Sequence, residues 1–169
     1  MRRHRIKATE KQKRGGCLIF DSKNGENMEN FNQISTDEII NQIKEAPIQF
    51  SEKRLDTIPG IRFEDYLAEL MERYHCTPGQ LIIRTCLSKP YIYQVLKGER
   101  VPGRDVILRI SLAMKASVDE TQRMLTLAEK GVLYPKVKRD AAILCCIEAK
   151  RSLEYTNLFL EEHGEKKLL

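Results

Sequence analysis

Thr77-Pro78-Gly79-Gln80-Leu81-Ile82-Ile83-Arg84-Thr85-Cys86-Leu87-Ser88-Lys89-Pro90-Tyr91-Ile92-Tyr93-Gln94-Val95-Leu96-Lys97-Gly98 holds two helix starts in quick succession. Thr77 is a capping residue, Pro78 suits the first helical position, and Gln80 stands three residues after the cap, the spacing of a capping box. These residues predict a short helix with Leu81, Ile82 and Thr85 facing inward. The chain then turns at Cys86-Leu87-Ser88. Ser88 caps a second helix, Lys89 to Lys97, in which Pro90 falls in the first turn, where its missing N–H costs no hydrogen bond, and Gly98 ends it. Ile92 and Val95 point inward in this second helix, while Lys89, Tyr91, Tyr93, Gln94 and Lys97 point outward. Two short helices joined by a tight turn, the second with amide, aromatic and basic groups outward, have the form of a helix-turn-helix.

The flanking sequence extends the helical pattern. Phe63, Tyr66, Leu67, Leu70 and Met71 recur at amphipathic spacing and predict a helix before the pair. Two more helices follow it, Asp105 to about Ala116 and Ser117 to about Lys130. These last two recur 35 residues later: Arg104-Asp105 matches Arg139-Asp140, Lys115 matches Lys150, Ser117 matches Ser152, Thr121 matches Thr156 and Leu125 matches Leu160. Six of 22 aligned positions are identical, which suggests a duplicated helical hairpin. Ser117 and Ser152 both read as N-caps, and Glu120 completes a capping box only in the first copy. The second hairpin is expected to pack on the first. Ile143, Ile147, Leu158 and Phe159 are the candidates for a homodimer surface through these C-terminal helices.

Upstream, Thr36-Asp37-Glu38 opens a short helix with Ile39, Ile40 and Ile43 on one face; Pro47 is read as its stop, and Ile48 to Gly60 as a linker. The organisation is therefore a basic leader over 1–34 that lacks apolar periodicity, a short helix and linker over 35–60, a helix-turn-helix domain over 61–132, and a C-terminal hairpin over 133–169. Residues 1–14 carry a net charge of +6, so most of the chain's +5 comes from the leader; residues 15–60 carry −4 and residues 61–169 carry +3. A leader of this kind reads as a DNA-tracking arm, as a solvated tail, or, with Met28 as the true start, as sequence outside the native chain. Lys97, Arg100 and Arg104 cluster where the second helix of the pair ends and the next begins, and residues 88–104 carry +3.

The run Gln80 to Ser88, then Tyr91 to Pro102 with its Lys97-Gly98-Glu99-Arg100-Val101-Pro102 ending, then Leu108-Arg109-Ile110-Ser111-Leu112-Ala113, resembles the lambda-repressor-like (Xre-type) helix-turn-helix family over residues 62 to about 130. The resemblance implies an all-α, five-helix DNA-binding domain, here extended by the repeat-like hairpin. It also implies a transcriptional regulator, a repressor by expectation, that places helix 89–97 in the major groove of double-stranded DNA. On that basis Lys89, Pro90, Tyr91, Tyr93 and Gln94 are the base-reading candidates, and Thr77, Lys97, Arg100 and Arg104 the phosphate partners. Gln94 suits adenine, Lys89 guanine, and Pro90 offers only apolar contact, for instance to a thymine methyl. The sequence departs from the family at Ile82, where a small residue is usual, and at Cys86, where Gly is usual in the turn.

Other functions find less support. His4, His75 and His163 are scattered, no nucleophile stands beside a base, and Gly15-Gly16 is not a phosphate loop, so no enzyme is expected. His75, Cys76 and Cys86 lack a second ligand pair at usable spacing, and the five cysteines read as thiols of a reducing, cytoplasmic compartment, with no metal or cofactor. No apolar stretch approaches the length of a membrane span. The rival to DNA binding is a protein-interaction module on the same fold, antitoxin-like or a signalling adaptor.

Overall fold

The computed structural model describes residues 35–54 and 60–168; the basic leader over 1–34 lies outside the described residues. Among the described residues the protein is all-α, with nine helices and no strand. The chain divides between Pro59 and Gly60 into two compact units.

The first unit contains α1 (Thr36–Glu45) and α2 (Pro47–Arg54). Ser35 caps α1 by accepting a hydrogen bond from the Glu38 N–H at 3.2 Å. The linker expected from Ile48 begins instead with a second helix. Ala46 leaves the helical region at φ −145° and ψ 67°, and Pro47 then opens α2, because proline fits the first helical position as well as it ends a preceding helix.

The second unit contains α3 (Phe63–Arg73), α4 (Pro78–Thr85), α5 (Lys89–Leu96), α6 (Arg104–Met114), α7 (Val118–Leu127), α8 (Lys138–Glu148) and α9 (Leu153–Glu162). One turn chemistry joins four of the helix pairs: a left-handed residue, a spacer, and a Ser or Thr cap. The left-handed residues are His75, Cys86, Lys115 and Lys150, with φ of 48°, 53°, 58° and 51°, and the caps are Thr77, Ser88, Ser117 and Ser152. At three of these turns the spacer N–H reaches back to close the preceding helix: Cys76 to the Met71 carbonyl at 2.8 Å, Ala116 to Ser111 at 3.0 Å and Arg151 to Cys146 at 2.9 Å. None of the four left-handed residues is glycine. Each carries a steric cost of about 1 kcal/mol that the surrounding packing must outweigh.

A single apolar core runs through the unit, from Leu67 and Leu70 of α3 through Leu81, Ile92, Leu108 and Leu125 to Ile143 and Leu160 of the last two helices. Ile143 and Ile147 are buried within the chain. They are therefore removed from the homodimer surface expected of them, and of that set only Leu158 is exposed, with Phe159 half-buried.

The hairpins α6–α7 and α8–α9 are structural repeats, and their side chains make the same bonds at an offset of 35. Arg104 Nε donates to the Gly131 carbonyl at 2.7 Å and its Nη2 to Val132 at 3.2 Å. Arg139 Nε donates to Lys166 at 2.8 Å and its Nη2 to Lys167 at 3.3 Å. Gln122 latches the Leu133 backbone, and Asn157, its equivalent, accepts from the Leu168 N–H, each at 2.8 Å. Leu133 and Leu168 are both buried. Between the hairpins the two arginines cross over: Arg104 pairs with Asp140 at 2.8 Å, and Arg139 pairs with Asp105 through two bonds at 3.0 and 3.1 Å. Likewise α6 packs on α9 while α7 packs on α8. Contacts exchanged in both directions are those of a local two-fold relation, not of a translated array.

Candidate nucleic-acid interface

Helix α4 is set by its capping box: the Gln80 N–H donates to Thr77 Oγ1 at 3.3 Å, and Gln80 Oε1 accepts from the Thr77 N–H at 2.9 Å. The Thr77 oxygen is used as an acceptor, which leaves its hydroxyl hydrogen for an external partner. Thr85 closes the other end, with its hydroxyl on the Leu81 carbonyl at 2.7 Å. Cys86 then reverses the chain in the left-handed region, and Ser88 caps α5 by accepting from the Tyr91 N–H at 3.4 Å.

Helix α5 is anchored from below by Ile92 and Val95, both buried, and packs on α3 and α4. Lys89, Pro90, Tyr93 and Gln94 are exposed, and Tyr91 is half-buried. The Lys89 ammonium lies 5.9 Å from the Tyr93 ring centre, and the Arg100 guanidinium 4.6 Å from that of Tyr91. Such cation–π contacts limit the swing of both cations without neutralising them. Lys97 is exposed, 3.9 Å from Glu99. Gly98 adopts φ +70°, and the Glu99 N–H closes α5 on the Gln94 carbonyl at 2.9 Å. That positive φ is what favours glycine here; a Cβ would meet only the movable ends of the Glu64 and Arg62 side chains.

The structure thus brings Lys89, Pro90, Tyr93, Gln94, Lys97 and Arg100 onto or just beyond the outer side of α5, with Tyr91 at its edge and Thr77 at the start of α4. Arg104 has other work. Its guanidinium holds two loop carbonyls and Asp140, tying α6 to the C-terminal hairpin.

Two arginines outside the sequence-predicted site residues position α4. Arg109 lies within the apolar run of α6, is buried, and donates to the Thr85 carbonyl at 3.0 Å through Nε and again through Nη2. A cation at the C-terminal end of a helix satisfies open carbonyls and complements the helix dipole. Arg84 does the same for α6 through the Ala113 carbonyl at 3.2 Å. The visible signal was an arginine inside Ile107-Leu108-Arg109-Ile110, where amphipathic spacing demands an apolar residue or a charge with a buried partner.

No group of three or more His, Cys, Asp or Glu side chains converges on a metal-sized site among the described residues. No helix among them is long and apolar enough to cross a membrane. Compared with protein-family models, with curated proteins and with solved structures, the chain gives no match.

Proposed function

We propose that this chain is a sequence-specific DNA-binding regulator of transcription, of repressor type. In this reading α3 to α7 form a lambda-repressor-like five-helix domain, and α5 enters the major groove of double-stranded DNA. The observation that carries it is the two-sidedness of α5: Ile92 and Val95 are locked into the core, while Lys89, Tyr93 and Gln94 stand on the solvent side. A rigid helix that presents an amide and a cation on one face meets the requirement for base-edge readout. Lys97 and Arg100 past its end, and Thr77 at the start of α4, are the phosphate partners in this scheme. Arg104, held by Asp140, is left out of it.

A second reading, a protein-interaction module, is favoured by apolar exposure in the same region: Ile83 on α4 is 78% exposed, and Tyr93 and Val101 are exposed as well.

Selection from a random DNA pool, followed by salt titration, separates the two. Gln94→Ala should weaken the selected site by about 1–3 kcal/mol and leave random DNA nearly unaffected. Lys97→Ala should weaken both DNAs and lower the slope of log K against log salt by about 0.9. Absence of any selected sequence overturns the DNA reading and turns attention to a protein partner at Ile83 and Tyr93.

A further inference from the structure

The two hairpins differ most on one face of their second helices. On α7 that face is covered by α3: Glu120 accepts from Tyr74 Oη at 2.6 Å and from Arg73 at 2.8 Å, and the Arg123 guanidinium lies 4.6 Å from the Tyr66 ring centre. At an offset of 35, Glu120 and Arg123 become Tyr155 and Leu158 on α9. No helix of the second unit plays the part of α3 there, and Tyr155 and Leu158 are 44% and 58% exposed. The covered copy is thus charged and the open copy apolar, the reverse of what solvation alone would select.

The ends of this open face carry opposite charge. Arg151, stacked 4.8 Å from the Tyr155 ring centre, stands at the start, and Glu162 at the end; neither makes an ion pair among the described residues. Tyr155, Leu158 and Glu162 follow spacings of three and four, which place them in one stripe along α9, and Arg151, just before the Ser152 cap, joins the start of the stripe by stacking on Tyr155. The stripe is complementary to itself when two copies lie antiparallel: Tyr155 meets Leu158 of the other copy, and Arg151 meets its Glu162.

We infer that the α9 stripe is a homodimer surface, occupied by the same stripe of a second copy of this chain. The contact is small, well under the roughly 800 Å² per partner of a stable interface, so the dimer is weak and reversible in the absence of DNA. The pairing stands without the DNA reading. Its purpose, presenting two α5 helices to a two-fold operator, rests on that reading.

Sedimentation equilibrium of the full chain without DNA is the test. Wild type should show reversible dimers whose fraction grows with loading concentration up to about 1 mM. Leu158→Asp should remain monomeric, with an unchanged thermal midpoint because the site is exposed. Arg151→Glu and Glu162→Arg should each weaken the dimer at least about fivefold, and the double variant should restore it, since the exchanged charges again meet across the two-fold. A wild type that stays monomeric, or dimers indifferent to Leu158→Asp, overturns the proposal and leaves the face to a helix of another protein. Failure to select a DNA site while the charge-swap rescue succeeds would overturn the DNA reading alone.

Discussion

The hairpins α6–α7 and α8–α9 use the same bonds to opposite ends. Each has an arginine on two loop carbonyls, an Asn or Gln latch, a left-handed lysine and a serine cap. The first is enclosed by α3, α4 and the second hairpin; the second is covered on one side only. A duplicated unit keeps its internal ties because they hold the hairpin's own shape, whereas its outer faces follow whatever neighbour each copy has. The outer face is therefore where the copies can acquire separate roles.

The hardest test of this comparison is Ile147→Asp, at the position equivalent to Leu112; both side chains are buried. An unpaired carboxylate in that core should cost about 3–5 kcal/mol. Because one core spans both hairpins, thermal melting should show a single transition shifted down by many degrees. A selective loss of the last hairpin, with α3 to α7 still folded, would show that the second copy is an appendage.

The crossed ion pairs are not equal. Asp140 is only 8% exposed, and its Oδ2 accepts from both Arg104 and the Tyr134 N–H, whereas Asp105 is 37% exposed. Asp140→Ala strands a half-buried guanidinium and a loop N–H, and should cost about 2–4 kcal/mol. Asp105→Ala strands the Arg139 guanidinium, which is 17% exposed and bound through two bonds, but it frees no loop N–H and exposes its own site to water, so it should cost less, about 1–2 kcal/mol. Denaturant melts of the two variants measure the asymmetry directly, and equal losses would contradict it. The same burial makes Arg104→Ala a folding variant, so it should not alter the salt slope of a folded protein.

Acid separates the copies as well. Burial pushes the Glu120 carboxyl up, yet the hydrogen bonds it accepts from Ser117, Tyr74 and Arg73 hold it below the ordinary carboxylate range. A lowered folded pKa contributes stability that is present above the unfolded value and lost as pH falls through the folded one. Tyr74, pushed up to about 12 by burial and by its bond to Glu120, contributes stability below its ordinary value near 10, lost as pH rises through the folded one. Glu120→Gln should therefore flatten the acid limb of a thermal-midpoint profile. Tyr155, at the matching place on α9, gives the second hairpin no such carboxylate.

The smallest effect concerns the left-handed lysines. Lys115 makes no side-chain bond among the described residues, while Lys150 Nζ reaches the Lys115 and Ala116 carbonyls, both at 3.1 Å. Lys115→Gly should stabilise by about 0.5–1 kcal/mol, because glycine removes the cost of positive φ. Lys150→Gly should gain little or lose slightly, since the same relief is offset by two broken bonds. Matched chemical denaturation curves decide this pair.

Much of the second unit was legible in the chain. Thr77, Ser88, Ser117 and Ser152 announce helix starts through side-chain bonds to nearby N–H groups, and Gly98 announces an end. The inward residues Ile92 and Val95 follow from helical spacing, as do the outward Lys89, Tyr93 and Gln94, and the repeat is visible in Arg104-Asp105 and Arg139-Asp140. These signals are local, or compare like with like along the chain. Proline is ambiguous even locally: Pro47 serves equally as a stop and as a start, so the chain alone predicts a linker where α2 forms. Only the tertiary structure decided which charges are free. Arg104 reads as a phosphate partner in the chain and is instead bound to Asp140, 36 residues away, just as Arg109 is bound to Thr85 and Ile147 is turned into the core. A side chain's charge or apolarity is a property of the residue, but whether it is spoken for depends on elements distant in sequence, and that is settled by packing.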